Sequence, residues 1–133
     1  MNRMAALRQY KTVNTQSEIH DASPHRLIQL LMEGGLSRIA QARGCMERGE
    51  MLEKAKLIAK AMDIIAGLRE GLDFKKGGQL ALDYARLYDY MTRRLVEANR
   101  KNSLKMMEEV TGLLLQLKMG WDGISPNAAA AQP

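Results

Sequence analysis

The sequence predicts an all-α fold, an antiparallel up-and-down four-helix bundle with an additional N-terminal strap or short helix. Three observations carry that reading. Apolar residues recur three and four apart over stretches of about twenty residues. The breaks between those stretches are short and marked by Gly, Asn-Ser or Ser-Pro. Valine, isoleucine and threonine never gather into runs that alternate like a strand. At 133 residues, 46% of them hydrophobic, the chain is large enough to bury one core and small for two.

The elements follow in order. Residues 1–22 are polar and weakly periodic, with Leu7, Tyr10 and Val13 spaced like a short amphipathic turn, and are expected to form the strap. Ser23-Pro24 then supplies an N-cap and a proline at the first helical position, where its missing N–H is no loss. The first helix runs from Pro24 to about residue 48 and stops at Gly49. A second covers 50 to about 73, until the Lys75-Lys76-Gly77-Gly78 stretch breaks it. A third covers 79 to about 99. The fourth starts after Asn102-Ser103 and ends near Gly123. The bundle thus spans 23–124, and the alanine-rich 125–133 has no periodicity and is expected to be disordered. Loops this short between long helices make neighbours antiparallel.

The helix faces are uneven. In the first helix Ile28, Leu31, Met32, Gly35, Leu36, Ile39, Ala42 and Met46 form a stripe, which Leu27, Leu30, Gly34 and Cys45 widen well beyond what a four-helix core consumes. In the second, Met51, Ala55, Ile58, Ala61, Met62, Ile65, Leu68 and Leu72 face one way, with Leu57 and Ile64 widening a flank. The third buries Leu80, Tyr84, Leu87, Tyr88, Met91, Leu95 and Ala98, and leaves Tyr90 off that row beside Arg94. The fourth has an ordinary stripe, Met106, Met107, Val110, Leu113, Leu114, Leu117, Trp121 and Ile124, with Leu104 and Leu115 outside it. Surplus apolar surface needs a cover, and the candidates are the strap, a second copy or a partner's amphipathic segment. Ten methionines suit either a core or an adaptable partner surface.

Catalytic chemistry finds no inventory. His20, Asp21 and His25 make a poor metal set with no HExxH or cysteine companion. Cys45 sits on an apolar flank and is expected to be a buried thiol. Gly34-Gly35 lies within a helix, and Gly77-Gly78 lacks the Lys-Ser/Thr of a phosphate loop. Glu108 and Glu109 are adjacent rather than facing. No segment approaches the roughly 20 apolar residues of a membrane span. The apolar run Met4 to Leu7 falls far short of a secretory signal, so a cytoplasmic location is expected.

The net charge of +5 admits an anionic partner. Lys75, Lys76, Arg86, Arg93, Arg94, Arg100 and Lys101 outweigh Asp83, Asp89 and Glu97 on the third helix, so a basic helical nucleic-acid-binding protein is the alternative reading. Against it stand the low aromatic content of 5%, the interrupting carboxylates and the absence of helix-turn-helix spacing.

Four stretches carry a family resemblance: ASPHRLIQLLMEGG (22–35), KAMDIIAGLREGLD (60–73), GGQLALDYARLYDYMTRRLVEAN (77–99) and EVTGLLLQLKMGW (109–121). The chain, from about Tyr10 to Ile124, resembles the flagellin-specific export chaperones of bacteria. It departs from them at Met32-Glu33-Gly34, often aromatic-Asp-Gly in the family, and at Tyr84, often leucine. The resemblance implies a cytoplasmic helical bundle that serves type III export, is no enzyme and has no cofactor or metal. Its implied partners are the disordered C-terminal region of flagellin, kept from polymerising, and the flagellar export apparatus. No nucleic acid and no membrane insertion are expected. Stripe geometry combined with that role assigns Leu27, Leu30, Leu57 and Ile64 to a groove floor and Tyr90 and Arg94 to its rim. Tyr90 is expected to turn its ring inward and its hydroxyl to water. Leu7, Tyr10 and Val13 become a displaceable cover.

Overall fold

Residues 22–124 are described in the computed structural model of the chain. They form four helices: α1 (Pro24–Glu47), α2 (Met51–Glu70), α3 (Phe74–Lys101) and α4 (Leu104–Asp122). Each packs on its neighbours in a closed ring, α1 on α2 and α4, and α3 on α2 and α4. The strap residues Leu7, Tyr10 and Val13, together with His20, Asp21 and 125–133, lie outside the described residues.

Local chemistry sets the boundaries. The Ser23 hydroxyl accepts from the Arg26 N–H at 3.1 Å, and Pro24 opens α1. The turn into α2 passes through Gly49 at φ 77°, a left-handed conformation that glycine adopts without steric cost. At the next break the Asp73 carboxylate accepts from the N–H groups of Lys75 and Lys76 at 3.1 and 3.0 Å. Helical turns resume at once, so α3 begins at Phe74, a turn earlier than the periodicity predicts, and is interrupted at Gly78 (φ 52°, ψ −128°). Asn102 ends α3 in the left-handed region. Ser103 then caps α4, its hydroxyl accepting from the Met106 N–H at 3.2 Å.

The core follows most of the α1 and α4 stripes and rotates that of α2. Leu57 and Ile64, expected on an outer flank, are buried, whereas Met51, expected inside, is exposed. Lys54 explains the rotation. It is buried at the first turn of α2, and its ammonium donates to the Asn99 carbonyl at 3.0 Å and to the Asn102 side chain. A lysine reads as outward-facing in a sequence, but here its stem belongs to the buried face and its charge closes the C-terminal end of α3. With Lys54 inside, Leu57, Ala61, Ile64 and Leu68 form the centre of the stripe. On α3 the buried row is Ala81, Ala85, Tyr88, Met91, Leu95 and Ala98, and Leu80 is exposed instead of buried. Ile124, expected in the core, is also exposed.

Gly35 marks a close approach at the centre of the bundle. A Cβ built there would lie 3.1 Å from Leu114 Cδ2 and 3.6 Å from Ile64 Cγ2. Near the start of α1 and the end of α4, His25 and Trp121 join the two helices. The Trp121 indole N–H donates to the His25 carbonyl at 2.9 Å, His25 Nε2 lies 3.0 Å from the Trp121 carbonyl, and the rings stack at 5.0 Å. Cys45 is a buried free thiol.

Candidate functional site: an apolar edge between the third and fourth helices

The predicted groove residues separate into two sets. Leu27, Leu30, Leu57 and Ile64 all belong to one continuous cluster of buried side chains, and Ile64 sits at the Gly35 crossing. All four are covered in the folded chain. Tyr90 and Arg94 lie on the outside, where α3 meets α4. The Tyr90 hydroxyl donates to Glu109 Oε2 at 2.7 Å, and Arg94 Nε donates to Glu109 Oε1 at 2.6 Å. The guanidinium carbon stands 6.0 Å from the Tyr90 ring centroid. The hydroxyl therefore faces a carboxylate from α4 rather than water, which corrects the sequence expectation.

This cluster is electrostatically self-consistent. Hydrogen bonds from Tyr90 and then Arg94 hold the Glu109 carboxyl below its ordinary range. The bond to Glu109 raises the Tyr90 phenol, while Arg94 and Arg93 pull the other way.

Helical geometry extends the edge from there. Leu80, Leu87 and Arg94 are spaced by seven, which keeps them on one side of α3. On α4, Leu113, Leu117 and Gly120 follow Glu109 at helical spacing, Ile124 lies two residues past the helix end, and the two helices run antiparallel. Leu87, Leu113 and Leu117 are partly buried against the core, whereas Leu80 is 53% and Ile124 39% exposed. A Cβ on Gly120 would meet nothing within 4 Å, so the edge is open at that point. Tyr84 flanks it, packed edge-on against buried Tyr88 at 6.3 Å between ring centroids. Helical spacing thus spreads these apolar residues in an interrupted strip over roughly 20 Å of the edge, at about 1.5 Å per residue, with the exposed polar residues Asp83 and Gln116 among them and with Tyr90, Arg94 and Glu109 at one end. Sequence reasoning placed Tyr90 beside Arg94 and off the buried row, as they lie in the structure, and did not single out Leu80 and Leu87 as an outer edge. The available signal was the seven-residue spacing of Leu80 and Leu87 with Arg94.

Among the described residues, three of the six remaining cations of α3 are in ion pairs, and Lys75, Lys76 and Arg93 are not among them. Arg86 pairs with Asp83, Arg100 and Lys101 with Glu97, and Asp89 is taken by Arg69 of α2. Arg93 has no ion-pair partner among the described residues. Interleaved carboxylates of this kind oppose a phosphate-tracking surface. Among the described residues no group of three or more His, Cys, Asp or Glu is placed to hold a metal ion, and no helix is long and apolar enough to cross a membrane.

Comparison with known proteins gives the family. The family model described as flagellar protein FliS matches residues 6–128. The chain is 57% identical over 125 residues to flagellar secretion chaperone FliSB of Pseudomonas aeruginosa, covering 94% of this chain and 99% of that protein. It is 41% identical over 126 residues to flagellar secretion chaperone FliS of Salmonella typhimurium, covering 94% and 93%. The Bacillus subtilis protein of the same name is 34% identical over 110 residues, covering 83% and 81%. With a helical bundle, an open apolar edge and similarity along nearly its whole length, the chain belongs to the FliS family of flagellar proteins.

Proposed function

We propose that the protein is a cytosolic type III export chaperone that binds the disordered C-terminal region of flagellin, prevents its premature polymerisation and aids its delivery to the flagellar export apparatus. The observation that most supports this reading is the open apolar strip at the α3–α4 edge, in a chain whose relatives are named secretion chaperones. A disordered segment with apolar residues at helical spacing gains by burying them in such a groove, at the cost of its own ordering. Residues 1–22, with Leu7, Tyr10 and Val13, are the proposed displaceable cover, and the role requires neither cofactor nor catalysis. Co-purification from cells tests the reading: tagged protein should retain full-length flagellin and lose flagellin truncated at its C-terminal region. Equal retention of the truncated form would overturn it.

A further inference from the structure

The Tyr90 end of the strip is built from donors. Tyr90 and Arg94 direct a hydroxyl and a guanidinium N–H to the two oxygens of one carboxylate, that of Glu109. Arg93 stands beside them, exposed and without an ion-pair partner among the described residues. Glu109 thus occupies a position that any carboxylate of suitable approach can take, and the pairing is surface-exposed, with side-chain exposures of 31% for Arg94 and 38% for Glu109. Exchange of one exposed carboxylate for another costs little, because exposed ion pairs are individually weak. Beyond this point Glu97, Lys101 and Lys105 bring charge to the edge, and Met106 is partly buried against the core. A chain that fills the strip from the Ile124 end has its last apolar residue opposite Leu87 and Leu113, and whatever follows meets the donors.

We propose that Tyr90, Arg94 and Arg93 receive the terminal α-carboxylate of the bound chain, with Glu109 as the built-in competitor that holds the donors in its absence. This rests on the reading above, that a flagellin C-terminal segment occupies the strip, and adds its direction and its end point. Capture of a chain terminus by convergent donors is a known mode of peptide recognition, and charge-assisted bonds make it selective.

The test uses the full-length protein and two synthetic peptides of flagellin's C-terminal region, identical except that one ends in a free acid and the other in an amide. By calorimetry the acid should bind about tenfold more tightly, the scale of one charge-assisted hydrogen bond. Arg94→Gln should abolish that difference, with circular dichroism confirming the fold. Glu109→Gln, which removes the competing charge, should widen the ratio severalfold. Equal binding of acid and amide by the native protein overturns the carboxylate site and leaves the chaperone reading intact. Failure of both peptides to bind overturns the reading on which the site rests.

Discussion

Replacing Lys54 with methionine keeps the side-chain stem and removes the ammonium, and so isolates what the buried charge does. Lys54 is 4% exposed, and its ammonium donates to the Asn99 carbonyl at 3.0 Å and to Asn102. Those acceptors close the last turn of α3, where carbonyls lack intrahelical partners and the helix dipole favours a cation. A hydrogen bond to a charged group contributes about 1.5 to 3 kcal/mol. Asn102 is exposed and Asn99 half-buried, so water replaces part of the loss, and relief of lysine desolvation offsets more. The net cost should be about 1 to 2 kcal/mol, or roughly 4 to 10 °C in Tm for a bundle of this size. Lys54→Ala should cost about 1 kcal/mol more, because it also removes the buried stem. Thermal melts followed by circular dichroism read both. A Lys54→Met protein as stable as the native one would refute the capping role and the explanation of why α2 is rotated.

Ile64→Glu should unfold the bundle, since it places a carboxylate at the Gly35 crossing, and Ile65→Ala should cost about 2 to 5 kcal/mol; denaturant titration distinguishes both from a folded protein with altered binding. Gly78→Ala should destabilise by about 1 to 3 kcal/mol, because φ 52° with ψ −128° is open to glycine and strained for alanine. Gly112→Ala, in an exposed helical position where a Cβ meets nothing, should instead stabilise by about 0.5 to 1 kcal/mol in the same melts. Glu109 has a lowered folded pKa, so its pairing stabilises fully above the unfolded carboxylate value of about 4.3 and is lost as pH falls through the lower folded value. Glu109→Gln should therefore flatten the acid limb of a Tm-against-pH curve, and an unchanged limb would contradict the pairing.

The bundle is legible because its signals are local: Ser23-Pro24, Gly49, Gly77-Gly78 and Asn102-Ser103 each act on the backbone beside them. The candidate site is less legible because which flank of a helix is outside depends on its neighbours. One buried lysine turns α2 so that Leu57 and Ile64 lie inside. On α3, Leu80 fits the periodicity of a core residue, and only the pairing of Tyr90 and Arg94 with Glu109 shows which side of that helix faces α4. Tyr90 stands out in the sequence as off the buried row, yet its partner lies 19 residues away on another helix, beyond the reach of any spacing rule.

The central claim is that the α3–α4 edge receives the flagellin segment, and Leu80 tests it against Leu82. Leu82 is 44% exposed and lies seven residues before Asp89, which pairs with Arg69 of α2, so it belongs to the opposite edge of α3. Calorimetry of a flagellin C-terminal peptide against Leu80→Asp and Leu82→Asp, both checked for native melting, makes the comparison. The account predicts a loss of more than about tenfold for Leu80→Asp, a near-native affinity for Leu82→Asp, and a negative heat-capacity change on binding to the native protein. Equal affinity of Leu80→Asp and native protein, or a loss confined to Leu82→Asp, would contradict it.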